Sequence, residues 1–453
     1  LWWIRRDLRL HDNTALNAAL DAASEVIPVF ILDDRLLNSP RVRGPRLAWM
    51  LEALRRFAAD LDRYGARLIV RRGDPVKELA VLLTEAKADG VYFNRDYSPY
   101  AVRRDRQVAE ALAAYTVKSF KDLVIHESHE TRTGTGGPYG VYTPYRKAWV
   151  ALPKPESRIG ALARLRYETM LFTLPLPTAE SLGTALPPAP IAEPGEAAAI
   201  HALETFIAAK IGGYKTVRDL PGEPGTAILS PYLRWGMISP RACYWAAHQA
   251  NADRESITCW IGELIWREFN YQVLAENPQI VRRSYRPAYD RIVWESDPAM
   301  FESWTVGRTG FPIVDAAMRQ LAATGWLHNR VRMIVASFLC KDLLIDWRRG
   351  EAYFMAKLLD GDVANNVGGW QWTAGSGTDA APYFRIFNPV AQSQKFDPQG
   401  HYIRRWVPEL RTVPVQHIHA PGLYAPPDYP APIVDHAVQR AKALRMYAVT
   451  KSG

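Results

Sequence analysis

Between Gly310 and Pro389 the chain mixes residue types that an ordinary core does not need. Trp326, Trp347, Trp370 and Trp372 interleave with Asn329, Arg332, Met333 and the run Asp360-Gly361-Asp362-Val363-Ala364-Asn365-Asn366. Asn329, Arg332 and Met333 are spaced i, i+3, i+4, so on a helix they share one face. Glu263, Trp266, Arg267 and Asn270 repeat the arrangement upstream. Each face joins hydrogen-bonding groups to an aromatic or thioether surface. A nucleobase needs both, because its ring stacks on apolar atoms while its edge requires donors and acceptors. The mixture suits a pocket for a large planar cofactor beside one for a flat aromatic substrate. On spacing alone, satisfied core polars with a few solvated positions account for these faces at least as well.

Composition narrows the setting. At 453 residues the chain is long for one core and reads as two or three domains. Hydrophobic residues at 48% and charged residues at 23% are globular values that argue against long disorder. The excess of 56 Lys+Arg over 47 Asp+Glu, a net +9, favours a polyanionic partner without demanding one. Eleven of the 15 tryptophans lie beyond residue 230, which strengthens the case for an aromatic-binding carboxy-terminal half. Three cysteines without CxxC spacing argue for a reducing compartment and against a disulfide scaffold or zinc site. No apolar run reaches membrane-spanning length and no signal peptide is recognised, so a cytoplasmic location is expected. The chain opens at Leu1, and a start residue is expected before it.

The elements that must position these residues fall into two halves. Through residue 125, β-rich runs at Leu1–Ile4, Val26–Leu32, Arg67–Val70, Val91–Asn94 and Val117–Ile125 alternate with helical stretches. The clearest helix runs from Pro45 to Tyr64, with Leu47, Leu51, Leu54, Ala58 and Leu61 in a stripe and Gly65 as its stop. Strands separated by helices imply parallel βαβ units, hence a doubly wound, Rossmann-like sheet over residues 1–127. Residues 128–196 read as an interdomain linker, Pro-rich around Pro187-Pro188-Ala189-Pro190 and containing some short helix. Residues 197–453 read as almost wholly helical. There Pro312 opens a helix whose stripe of Ile313, Ala317 and Leu321 ends near Gly325, and another starts near Trp326.

Glu263-Leu264-Ile265-Trp266-Arg267-Glu268-Phe269, Gly325-Trp326-Leu327-His328-Asn329-Arg330, Asp360-Gly361-Asp362 and Gly368-Gly369-Trp370-Gln371-Trp372 resemble the photolyase/cryptochrome flavoproteins. The closest likeness is to cyclobutane pyrimidine dimer photolyases of class I type. It extends from Arg5-Arg6-Asp7-Leu8-Arg9 to about Leu410 and is weakest in the linker. The resemblance implies a folded-back FAD in the helical domain. Tyr214, Thr226 and Ser230 match phosphate and ribose contacts, and Asp360 and Asp362 match the cofactor-contacting motif. Arg332 matches an arginine beside the flavin, expected to pair with Asp360. Asn366 matches the asparagine at flavin N5, where an amide can accept from N5–H and favour the reduced cofactor. Ala227 and Val367 depart from residues that many or some relatives carry there. A second, antenna chromophore between the domains is implied, whether folate, deazaflavin or another flavin, and it can also be absent.

For the substrate, Glu263 and Asn329 match groups that bond the dimer's base edges, Trp266 and Trp372 its aromatic walls, and Met333 a thioether contact. Met333 favours the cyclobutane lesion over the (6-4) lesion, whose repair uses pocket histidines; His328 is weak evidence by itself. The activity implied is light-driven repair. Reduced, anionic FAD passes an electron to a flipped-out dimer, the ring opens, and the electron returns. Glu263 is expected to stay protonated in a water-poor cavity and to donate a hydrogen bond to the developing charge. Trp370, Trp347 and Trp294 match an electron-transfer triad running outward from the flavin; core packing is the plain alternative. Arg267, Arg330, Lys395, Arg404 and Arg405 are the basic candidates for DNA phosphates. The protein is expected to act as a monomer on dimer-containing DNA. A cryptochrome-type photoreceptor on the same scaffold is the alternative. No metal is expected: His126-x-x-His129 lacks further ligands, and Gly134 to Gly140 reads as a turn because Pro138 spoils helix initiation.

Overall fold

Unbroken apolar runs such as Trp2-Trp3-Ile4 and Val29-Phe30-Ile31-Leu32 can only be strands covered on both faces. In the computed structural model, which describes residues 1–166, 170–380 and 382–451, they lie in the middle of one parallel sheet. Among the described residues its strands are β1 (Trp2–Ile4), β2 (Pro28–Asp33), β3 (Ile69–Gly73), β4 (Gly90–Asn94) and β5 (Thr116–Phe120). Their order is β3-β2-β1-β4-β5, with Trp2 opposite Pro28 and Val29 opposite Ile69. Helix α1 (Pro45–Arg63) starts on proline and ends just before Gly65, which takes φ +70°.

The fifth strand stops five residues short of the expected Ile125. Its continuation is pulled off the sheet by the long helix over Arg254–Glu276. Glu268 accepts from the backbone N–H groups of Ile125 and His126, and Arg267 donates to the Leu123 carbonyl at 2.7 Å. Asp122 is bonded to both Arg9 and Arg241 (2.7 and 2.8 Å), all three being buried. Backbone groups committed to another domain cannot also extend a ladder.

Helix α2 (Tyr142–Ala151) lies within the span expected as linker, yet its Tyr145 and Trp149 are buried in the helical core. Beyond it the described linker residues cross from sheet to helices. Leu174 N–H donates to the Val70 carbonyl and Ala189 N–H to the Ala323 carbonyl (both 2.9 Å). Residues 167–169 of the linker reading lie outside the described set. The helical half is built on α3 (Arg254–Glu276), α4 (Asn329–Ser337), α5 (Trp347–Lys357) and α6 (Val363–Ala374). The helix over Pro312–Thr324 begins and ends as its sequence predicts, with Gly325 in the left-handed conformation at φ +67°. Helix α4 starts at Asn329, three residues later than expected. His328 is its N-cap, with Nδ1 accepting from the Arg330 N–H (3.1 Å).

Candidate functional site

Four of these helices wall one cavity of about 570 Å³. Into it the fold brings Tyr214, Thr226, Ser230, Arg332, Asp360, Asp362 and Asn366, together with Glu263, Trp266, Asn329, Met333 and Trp372. Two stretches far apart in sequence, each showing a helix face of mixed character, thus become opposite walls of a single space. On its rim the loop before Ser230 holds Ile228 at φ +50°, a rare conformation for a β-branched residue. Trp326, to which no role was assigned, also lines the cavity and donates from Nε1 to Ser230 Oγ (3.1 Å).

The floor of the cavity is the Asp-Gly-Asp motif. Asp360 Oδ2 accepts from Arg332 Nη2 at 2.7 Å, the pairing expected from sequence. Asp362 is the N-cap of α6, accepting from Asn365 N–H (3.1 Å), so it fixes the start of the helix that carries Asn366, Trp370 and Trp372. Its other oxygen takes hydrogen bonds from Tyr271 Oη (2.6 Å) and Arg6 Nη2 (2.7 Å). Burial pushes this carboxyl up, but Arg6 and Arg234 outweigh it and hold it at about 2. Gly361 has a packing reason: a Cβ there would strike the guanidinium of Arg46, which is buried and donates to the Met355 and Leu358 carbonyls (2.6 and 3.1 Å). Among the described residues three buried wall atoms, Arg234 Nη1, Arg267 Nη2 and Asp360 Oδ1, have no protein partner. A ligand offering both acceptors and donors would satisfy them.

Asn366 turns its amide nitrogen away from the cavity. Nδ2 donates to the Glu351 backbone carbonyl (3.0 Å) and to Glu351 Oε1 (2.9 Å), which identifies the oxygen as the end left at the cavity. On the opposite wall Glu263 meets Arg218 Nη1 at 2.7 Å. Burial pushes the Glu263 carboxyl up and Arg218 pulls it down, the net direction being upward. Trp266 is stacked from behind by Tyr142 of α2, with ring centroids 3.6 Å apart and planes within 5°. Arg218 and Tyr142 escaped the sequence reading because their partners lie 45 and 124 residues downstream, beyond any local periodicity.

Of the three triad candidates two are buried and the third reaches the surface. Trp370 is 2% exposed and packs where Gly350 leaves room; a Cβ at Gly350 would collide with its ring. Trp347 lies one turn before Gly350 on α5 and is also buried. Trp294 is partly exposed and precedes Glu295, whose N–H donates to the Leu344 carbonyl (2.9 Å) in a bridge that ends two residues before Trp347.

Among the basic candidates, Arg330 lines the cavity mouth, paired with Asp219 (2.9 Å) and stacked on Phe396. Lys395 and Arg405 are exposed nearby in sequence to that rim. Two others are already engaged with backbone. Arg267 is committed to the Leu123 carbonyl and lies over Tyr271, and Arg404 donates to the Gln399, Arg411 and Val413 carbonyls. Both guanidiniums hold backbone that leaves a helix or strand, a demand invisible in sequence. Among the described residues His126 joins no group with metal-ligand spacing; Glu127, His129 and Glu130 come together instead, but Glu127 is paired with Arg95 and Glu130 with Lys121 (both 2.7 Å). Those cations already neutralise the charge a metal would need.

Residues 1–159 match the model for DNA photolyase, and residues 260–449 match the FAD binding domain of DNA photolyase. The deoxyribodipyrimidine photo-lyase of Halobacterium salinarum is 43% identical, covering 99% of this chain and 98% of its own. That of Synechococcus sp. is 41% identical, covering 100% and 97%. Among solved structures, a bacterial class III photolyase from Agrobacterium tumefaciens superposes with a TM-score of 0.93 at 38% identity, covering 100% and 97%. An archaeal photolyase from Sulfolobus tokodaii, solved with two FAD molecules, gives 0.87 at 33%, covering 99% of each. The cryptochrome of Synechocystis sp. gives 0.90 at 29%, covering 98% of each. The chain therefore belongs to the DNA photolyase family and carries its FAD-binding domain. The orphaned donors and acceptor of the cavity wall fit FAD, whose phosphates accept and whose ring edge does both.

Proposed function

We propose that this protein repairs cyclobutane pyrimidine dimers in DNA in a light-driven reaction. The observation that carries the reading is the union, in one cavity, of a cofactor floor with a set of side chains suited to a flat, hydrogen-bonding lesion. Reduced FAD, when bound, supplies one electron on absorbing blue or near-UV light and recovers it after the cyclobutane ring has opened. Asp360, Arg332 and Asn366 would orient the cofactor from the floor, and Tyr214, Thr226 and Ser230 from the rim. The oxygen of Asn366 would accept a hydrogen bond from a proton-bearing nitrogen of the flavin. Trp266, rigid because Tyr142 backs it, and Trp372 would clamp the flipped-out bases, while Asn329 and Glu263 bond their edges and Met333 fills the space between. Glu263 would hold its hydrogen bond where charge develops, with Arg218 beside it.

Arg330, Lys395 and Arg405 would neutralise phosphates around the mouth, making binding fall steeply with salt. We read the protein as a monomer in a reducing compartment, where its cysteines remain free thiols. Fold alone does not separate this reading from a cryptochrome-type photoreceptor, given TM-scores of 0.93 and 0.90. The full set of lesion-wall residues and the higher identity to the photo-lyases favour repair. The test is illumination of dimer-containing oligothymidine with the reduced protein. Thymine absorbance should return only under blue light; an inert substrate with a photoactive flavin would favour the photoreceptor.

A further inference from the structure

The cavity belongs to the helical half, yet part of its floor is controlled from the α/β half. Arg41 precedes α1 and reaches Glu351 on α5, with Nη1 and Nη2 donating to the two carboxylate oxygens (2.8 and 2.5 Å). Glu351 is buried, and its Oε1 also accepts from Asn366 Nδ2 at 2.9 Å. Among the described residues every hydrogen bond to the Glu351 side chain is thus accepted. The backbone between Arg41 and α1 is itself held, because the buried Arg46 donates to the Arg41 carbonyl. Among the described residues no protein donor reaches Asn366 Oδ1.

We propose that Arg41 is a positioning residue for the flavin: by occupying both oxygens of Glu351 it fixes the Asn366 amide with its oxygen toward the cavity. The proposal rests on the photolyase reading given above. A Glu351 carboxylate released from Arg41 is free to swing away, which removes the side-chain acceptor on Asn366 Nδ2 and lets the amide turn end for end. The cavity would then present N–H groups where the reduced flavin needs an acceptor. A bidentate guanidinium–carboxylate pair resists that reversal because it uses both oxygens in one plane. A simple tie between domains would account for Arg41 and Glu351, but not for the sharing of Oε1 with an amide that faces the cofactor space.

The test uses the FAD-loaded full chain and reads three quantities: flavin content, midpoint potential, and the rate at which the reduced protein reoxidises in air. Arg41→Gln, which lacks the fork that spans both Glu351 oxygens, should keep its FAD and reoxidise about tenfold faster, the effect of losing one charge-assisted hydrogen bond at the flavin. Its potential should fall, and the infrared carbonyl band of Asn366 should shift. Combining Arg41→Gln with Glu351→Gln should add little to either change. Reoxidation and potential unchanged in Arg41→Gln would overturn the proposal. If that variant does not retain FAD, Arg41→Lys takes its place, since it keeps the charge without the fork; an intermediate rate supports the proposal and a wild-type rate overturns it. Asn366→Leu separates the two levels. If it reoxidises fast while the Arg41 variants do not, only the role of Arg41 fails. If it too behaves as wild type, the placement of flavin against Asn366 fails, and the proposal with it.

Discussion

Glu263 lies where two opposing influences meet. Burial pushes its carboxyl upward, favouring an acid that can donate; Arg218, 2.7 Å away, favours the carboxylate. The two states predict different variants. If the acid form donates to the lesion, Glu263→Gln keeps the donor and should retain at least about a third of the repair yield, while Glu263→Ala loses about tenfold, the worth of one hydrogen bond at developing charge. Equal loss in both, measured as quantum yield on dimer-containing oligothymidine, would mean that the ion pair with Arg218 is what matters. The types and spacing of Glu263, Trp266 and Asn329 made this wall readable before any fold was known. Arg218 was not readable, because a charge partner brought in from another helix leaves no periodic trace.

His328 shows how a helix end decides what a suggestive residue does. It is 3% exposed, outside the residues lining the cavity, and caps α4 through an unprotonated Nδ1. Burial, with Arg330 and Arg332 adding to it, holds its imidazole down at about 4, from the usual 6.5. The folded state therefore prefers the neutral ring. Stability from this group is full above pH 6.5 and is lost as pH falls from there to about 4, by on the order of 3 kcal/mol. His328→Asn keeps an acceptor for the cap without a titrating ring. Its thermal unfolding should lose less stability than wild type over that acid range, and parallel curves would show that the cap is not the titrating element. The helices here were legible wherever an apolar stripe met a proline start or a glycine stop, as over Pro312–Thr324. Strand β5 was misjudged because the apolar residues Leu123, Val124 and Ile125 are buried against α3, not in the sheet. Burial was read correctly and its cause was not.

Taken together, the two halves are less separable than their sequences imply. In a sheet ordered β3-β2-β1-β4-β5 the crevice beyond β1 and β4 is where such folds commonly bind a ligand. In this chain Arg6, just past β1, fills that place with a link: it bonds Asp96 beyond β4 (3.1 Å) and, across the interface, Tyr271 and Asp362 (2.9 and 2.7 Å). Arg6 thereby braces the cap of α6, and with it the helix that carries Asn366 and two tryptophans. The motif Arg5-Arg6-Asp7 was visible in the sequence, but its purpose required knowing that its partners sit more than 260 residues away. Removing one member of a buried ion pair typically costs about 3–5 kcal/mol, so Arg6→Gln should lower stability by roughly 3 kcal/mol at neutral pH. Asp362, held at about 2 against an ordinary 3.8, contributes stability that is present above pH 3.8 and lost as pH falls to about 2. A protonated Asp362 no longer needs Arg6. The gap between wild type and Arg6→Gln, followed by denaturant unfolding across that interval, should therefore narrow as the acid is added, the part left being the pair with Asp96, whose carboxyl Arg6 holds lower still. A gap that stays constant down to the lowest pH would mean that Arg6 braces the interface by packing and not by charge.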